Sequence, residues 1–147
     1  MLKTPSFCRG WHFSAMIHVH GVQIYYEDTD FSGVVYHANY LKYFERAREH
    51  MLGVERLVSL FQETGVGFVV YKVEVTFREG AVHGDRLEVR TTAAVASAYR
   101  IIFDQSVWRP NGKRALVEGE VHLACVDRDQ KLVPIPPEVL ADLKALG

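Results

Sequence analysis

The stretch Tyr26-Glu27-Asp28-Thr29-Asp30-Phe31-Ser32-Gly33-Val34-Val35-Tyr36-His37-Ala38-Asn39-Tyr40 holds the residues best placed to do chemistry. It offers a carboxylate in a turn, a glycine, and then the start of a helix. A helix N-terminus carries free N–H groups and the positive end of the dipole, so it can polarise a carbonyl or hold an oxyanion. A carboxylate beside it can attack that carbonyl or activate a water. The same residues also suit a plain type I turn, with aspartate first and glycine fourth in Asp30-Phe31-Ser32-Gly33. Spacing alone leaves both readings open.

Other polar residues carry weaker signals. His18 and His20 share one strand face, which invites a metal, but no third ligand follows at a recognisable spacing and surface histidines are the simpler reading. Cys8 and Cys125 lie far apart and match neither a zinc nor a redox pattern, so a reduced, cytoplasmic compartment fits best. No metal is expected.

The elements that must position the turn follow from periodicity. Ile17 to Tyr26 is strand-like, with Val22, Ile24 and Tyr26 on one face and Ile17 and Val19 on the other, so Gly21 is expected to mark a bulge. Tyr40, Phe44, Ala47 and Met51 form one helical stripe, with Lys42, Glu45, Arg46 and Glu49 opposite. Gly53 ends this helix, and Val54 to Thr64 reads as a further turn or two closed by Gly65. The pattern then changes to period two. Val69, Tyr71, Val73, Val75 and Phe77 alternate with Val70, Lys72, Glu74, Thr76 and Arg78, Leu87 to Val95 alternates in another strand, and Tyr99, Ile101, Phe103 and Val107 mark a third. Pro110-Asn111-Gly112 is a hairpin turn leading into the strand Leu116 to Val126. A short terminal helix begins near Pro137 and carries Leu140, Leu143 and Leu146. The order β-α-β-β-β-β with a helical tail predicts an α+β domain, one amphipathic helix covering a five-stranded antiparallel sheet.

Composition bounds the partners. The 147 residues are 48% hydrophobic and 24% charged, which is ordinary for one globular domain. Seventeen basic and eighteen acidic residues leave a charge of −1, which gives no electrostatic reason to expect nucleic acid. No apolar run is long enough to span a bilayer, so no integral membrane segment is expected. Residues 1–15 show no period and no continuous apolar stretch, which argues against a secretory signal. They are read as an N-terminal arm, disordered or upstream of the true start at Met16, and residues 16–147 as one domain.

The run from Asp30 to Leu41, with Tyr26-Glu27-Asp28-Thr29 before it and Tyr43-Phe44-Glu45-Arg46-Ala47-Arg48 after it, resembles the signature of the 4-hydroxybenzoyl-CoA thioesterase family of hotdog-fold enzymes. It is closer to the branch of Tol–Pal-associated acyl-CoA thioesterases. The likeness spans about residues 17 to 140. The resemblance implies a hotdog fold, a five-stranded antiparallel sheet wrapped around one long central helix. It implies that Asp30 is the catalytic nucleophile or general base, and that the backbone N–H of His37 polarises the thioester carbonyl. Gly33 would let the backbone approach the thioester, with Val34, Tyr36 and Tyr40 bordering the acyl group. The His37 side chain donates to the thioester, orients Asp30 or caps the helix, since a neutral imidazole suits each role. Glu27 and Asp28 would shape the loop, while Arg46 and Arg48 read most simply as a solvated helix face, the alternative being that an arginine meets a CoA phosphate.

The activity so implied is hydrolysis of acyl-CoA to a carboxylate and free CoA, without metal or redox cofactor. Its alternatives are an aryl-CoA or acyl carrier protein thioesterase, and a non-catalytic acyl-binding scaffold. A homo-oligomer, dimer or tetramer, is expected because two sheet edges need cover. Acyl carrier protein and envelope-associated proteins are the further partners the resemblance suggests.

Overall fold

Alternating valines, isoleucines and threonines favour pleated, half-buried backbone, and here they close into one antiparallel sheet. The computed structural model describes residues 10–146. Residues 1–9 of the expected arm, and Cys8 with them, lie outside the described residues. The strands are β1 (His18–Gln23), β2 (Gly67–Phe77), β3 (Arg86–Val95), β4 (Arg100–Trp108) and β5 (Val117–Val126), in spatial order β1-β3-β4-β5-β2. All neighbours are antiparallel. β1 and β2 are therefore the two edges.

One sheet face is the core. Val89 pairs with Val107, Ala93 with Phe103, Phe103 with Val121, and Val107 with Val117, so apolar side chains align across three strands. Helix α1 (Asn39–Leu52) covers this face, burying Tyr40, Tyr43, Phe44, Ala47 and Arg48. Gly119 makes the close approach. A Cβ there would stand 2.8 Å from Phe44 Cε2, nearer than packed atoms tolerate.

Helix is divided among three elements instead of being gathered into one long central helix. Gly53, at φ +97°, breaks the chain after α1, and α2 (Val54–Thr64) begins at once. Gly65 then caps α2 in the left-handed region, its N–H donating to Phe61 O at 2.8 Å. A third helix, α3 (Pro137–Ala145), buries Val139 and Leu143 into the same core.

Three expectations need correcting. β1 has no bulge at Gly21: His18, His20 and Val22 pair with Thr91, Val89 and Leu87 and so face the helix layer, while Val19 points outward. His18 and His20 are thus half-buried beneath α1, and His20 stacks on His50 with centroids 4.6 Å apart. In β2 the register shifts between Val70 and Lys72, so Tyr71 is an extra residue and Val70, not Val69, shares a face with Val73. Arg48 is buried, not solvated.

The chain before β1 is tied to the domain. Ser14 donates its N–H to Ala93 O at 2.8 Å and its hydroxyl oxygen accepts Ala93 N–H at 3.1 Å. No helix among the described residues is long and apolar enough to cross a membrane.

Candidate active site

Asp30 sits in a small hairpin that its own sequence dictates. Aspartate favours a turn because its carboxylate can accept a nearby backbone N–H, and Asp30 Oδ1 accepts from Ser32 N at 2.8 Å. Gly33 N–H donates to Asp30 O at 3.0 Å, and Gly33 supplies the positive φ of +82° that the tip requires. Asp30 N–H donates to Val34 O at 2.9 Å, and Thr29 bridges Val35. The turn geometry expected of Asp30 is therefore real. It uses only one carboxylate oxygen; Oδ2 accepts no hydrogen bond among the described residues. Phe31 is fully exposed at the tip.

The hairpin is docked on the loop between β2 and β3. Val34 bridges Val82, and Val35 N–H donates to Ala81 O at 2.9 Å. A Cβ on Gly80 would lie 3.0 Å from Val34 Cγ1, so this glycine also admits a close contact. Tyr40, the first residue of the helical stripe, is buried, and its hydroxyl accepts Ala81 N–H at 3.3 Å. Burial raises the Tyr40 pKa above its usual value. It faces the core more than any open cleft.

Asp28, two residues before Asp30, ties the hairpin to the helix. Its Oδ2 accepts Tyr25 N–H at 2.7 Å and its Oδ1 accepts the Tyr43 hydroxyl at 2.7 Å. Its carbonyl accepts Tyr36 N–H at 2.9 Å and Asn39 Nδ2 at 2.9 Å. Burial, then the hydrogen bond to Asp28, holds the Tyr43 hydroxyl well above the ordinary tyrosine range. The loop-shaping role expected of Asp28 fits these bonds. Tyr43 was absent from the expected helical stripe, although its position three residues after Tyr40 puts it on the same face.

The entry to α1 leaves donors open. Asn39, Tyr40 and Leu41 give their N–H groups to Tyr36, His37 and Ala38 carbonyls at 2.9, 3.3 and 3.2 Å. The N–H groups of His37 and Ala38 have no acceptor among the described residues. The His37 ring is held between Tyr36 (centroids 4.6 Å) and Phe77 (5.9 Å). Asp30, Gly33, Val34, Tyr36 and His37 thus share one hairpin and helix entry, with Tyr40 packed beneath. No group of three histidine, cysteine or carboxylate side chains among the described residues could hold a metal ion.

Comparison with known proteins places this geometry in context. The Thioesterase-like superfamily matches residues 25–143. The chain is 38% identical over 123 residues to Acyl-CoA thioesterase YbgC of Haemophilus influenzae, covering 82% of this chain and 89% of that protein. It is 32% identical over 118 residues to a 1,4-dihydroxy-2-naphthoyl-CoA hydrolase of Synechocystis, covering 78% and 85%. The crystal structure of Slr0204, a 1,4-dihydroxy-2-naphthoyl-CoA thioesterase from Synechocystis, superposes with a TM-score of 0.82 at 26% identity, covering 89% of this chain and 98% of that one.

Proposed function

The chain belongs to the thioesterase-like superfamily, and we propose that it is an acyl-CoA thioesterase, turning R–CO–S–CoA and water into a carboxylate and free CoA. The observation that carries this reading is the pair of open N–H groups at His37 and Ala38, at the helix entry into which the Asp30 hairpin leads. In the proposed reaction the His37 N–H donates to the thioester oxygen as negative charge develops there. Asp30 acts through the oxygen that Ser32 leaves open. As a base it takes a proton from water, whose oxygen adds to the carbonyl carbon. The C–S bond then breaks and the thiolate recovers the proton. As a nucleophile its oxygen adds to the carbonyl carbon, and the C–S bond breaks to release CoA thiolate. Water then hydrolyses the mixed anhydride so formed, freeing Asp30 and giving its proton to the thiolate. Gly33 leaves the approach to the hairpin clear, Val34 and Tyr36 border the acyl group, and Tyr40 backs the site from the core. The His37 imidazole donates to the thioester or orients Asp30. Neither route needs a metal or a redox cofactor.

Turnover of acyl-CoA, followed with a thiol reagent, tests this reading. Asp30→Asn should lower kcat about 10²–10⁴-fold, the scale of a lost base. Asp28→Asn should cost far less, since an amide oxygen still accepts one of its two donors. Equal and small effects would return Asp30 to a plain turn residue. The 1,4-dihydroxy-2-naphthoyl-CoA hydrolase among the relatives favours an aryl-CoA as the second reading. A panel of aliphatic, aryl and acyl carrier protein thioesters decides between them, and acyl-CoA binding without turnover would make the chain a scaffold.

The same proposal includes a homo-oligomer formed at β2. This edge strand leaves one side of its backbone unpaired and exposes Val70, Tyr71, Val73 and Phe77. Light scattering that found a fully active monomer would refute it. A cytoplasmic location belongs to the proposal as well, supported by the free Cys125 thiol.

A further inference from the structure

A cavity of about 260 Å³ lies between the C-terminal half of α1, α2 and the start of β2. Leu52, Leu57, Phe61, Val66, Phe68 and Leu123 give it an apolar lining. Arg48 lines it too, only 7% exposed. One of its N–H groups, at Nη1, donates to Gln105 Oε1 at 3.0 Å, and its guanidinium lies 6.0 Å from the centre of the Phe103 ring. Gln105 is itself held rigidly, its Nε2 donating to Phe44 O and Thr91 Oγ1 at 3.0 Å each.

Among the described residues Arg48 forms no ion pair with a carboxylate. Glu45 and Glu49 line the same cavity and act on Arg48 through their charge, without a contact ion pair. The other N–H groups of Arg48 have no acceptor among the described residues and are not sealed into protein, and Arg48 borders the cavity. A buried guanidinium with one neutral partner is costly, because desolvation is not repaid by a contact charge. An acceptor in the cavity would repay it.

We propose that this cavity binds a carboxylate carried on a compact apolar body. The free edge of the Arg48 guanidinium meets the carboxylate in a two-bond fork, and the apolar walls take the body. Glu45 is exposed and Glu49 half-exposed, so water screens their repulsion while the Arg48 contact is made in drier surroundings. Two sources present this chemistry. One is a free carboxylic acid, the product class of the proposed reaction. The other is the far end of a dicarboxylic acyl group. Arg48 lies eleven positions beyond His37, about 16 Å along the helix axis, so such an acyl group would have to be long and extended.

Calorimetric titration of the full chain with octanoate, and with octanol as its uncharged counterpart, tests the site without any turnover. Only the kinetic comparison below rests on the proposed activity. Octanoate should bind once per chain, with octanol about tenfold weaker or worse. Arg48→Met should abolish that difference. Leu57→Trp, which fills the cavity and leaves Arg48 in place, should weaken octanoate by a similar factor. Absent octanoate binding, equal binding of octanol, or binding indifferent to Leu57→Trp would overturn the proposal. Dodecanedioyl-CoA and lauroyl-CoA then separate the sources. An Arg48-dependent preference for the former assigns the site to the substrate's far end, and octanoate binding without that preference assigns it to free acids.

Discussion

Replacing Gly119 by alanine presses one methyl group into the contact between α1 and the sheet. The new Cβ would stand 2.8 Å from Phe44 Cε2 and 3.2 Å from both Val75 Cγ2 and Glu74 O. Well-packed carbons sit about 3.5–4.0 Å apart, so the Phe44 ring, or α1 with it, must retreat by about 1 Å. Overpacking of this kind costs about 1–3 kcal/mol. For a chain of this length each kcal/mol lowers Tm by about 2–4 °C, which puts the expected loss near 6 °C. Phe44 lies in the first turns of α1, so its retreat also moves the helix entry that holds the His37 and Ala38 N–H groups. A displacement of about 1 Å at a reacting centre can cost on the order of 10² in rate. Thermal melts and acyl-CoA turnover on the same preparation read both effects. Adding Phe44→Leu removes the ring that clashes, so the double variant should be more stable than the two single losses predict, by at least about 0.5 kcal/mol. A Gly119→Ala protein that melts with the parent, or strict additivity in the double variant, would refute the reasoning.

Tyr43→Phe takes a donor from the Asp28 carboxylate and should lower stability by about 1–3 kcal/mol, with faster amide exchange at Tyr25 and Tyr36 as the local sign; unchanged exchange would mean that Asp28 does not tie the hairpin to α1. Burial, and then Glu120 and Glu118, push Asp104 up to about 7. The folded state therefore holds a proton that the unfolded chain releases near pH 4, and stability drains away as pH rises from there to about 7. Asp104→Asn should raise Tm at pH 8 and leave it nearly unchanged at pH 4. His18 and His20 have lowered pKa values, through burial first and the neighbouring His50 second. There the unfolded state binds protons more readily, so stability falls as pH drops through about 6.5. His20→Gln should flatten that slope in melts between pH 7 and pH 5. A chain begun at Met16 should fold but melt below the full chain, because it loses both Ser14–Ala93 hydrogen bonds.

Local pattern carried most of the fold. The strands expected over Leu87–Val95, Tyr99–Val107 and Leu116–Val126 agree with β3, β4 and β5 to within a residue, and Asn111 takes the positive φ expected of the hairpin turn. Failures came where a distant partner decides. The β2 strand crosses to the far edge beside β5, a pairing that no local period encodes. His18 and His20 were less apolar than Ile17 and Val19, yet register with Thr91 and Val89 put them on the helix side. Arg48 shares its part of the helix with Glu45 and Glu49, and only the folding of α2 and β2 around that end turns a wet position into a buried one. In the candidate site, the Asp30 turn and the helix entry were readable because aspartate, glycine and a helix start act over a few residues. The Tyr43–Asp28 bond was not, since it spans fifteen positions.

The extra residue in β2 makes one place in this sheet indifferent to chain length. Val70 pairs with Leu123 and Lys72 with His122, which are adjacent on β5, so Tyr71 has no opposite number. Excising Tyr71 would join Val70 to Lys72 with every other pair already in step, and each side chain would keep its face. Excising Val73 would turn the strand between it and the bulge inside out, since side chains alternate with every residue. The strand has a slot where evolution can drop a residue without disturbing the pairs on either side. What such a deletion would take away is the Tyr71 ring, which packs edge-on against His122 at 5.7 Å and lies under the Arg100 guanidinium at 5.2 Å.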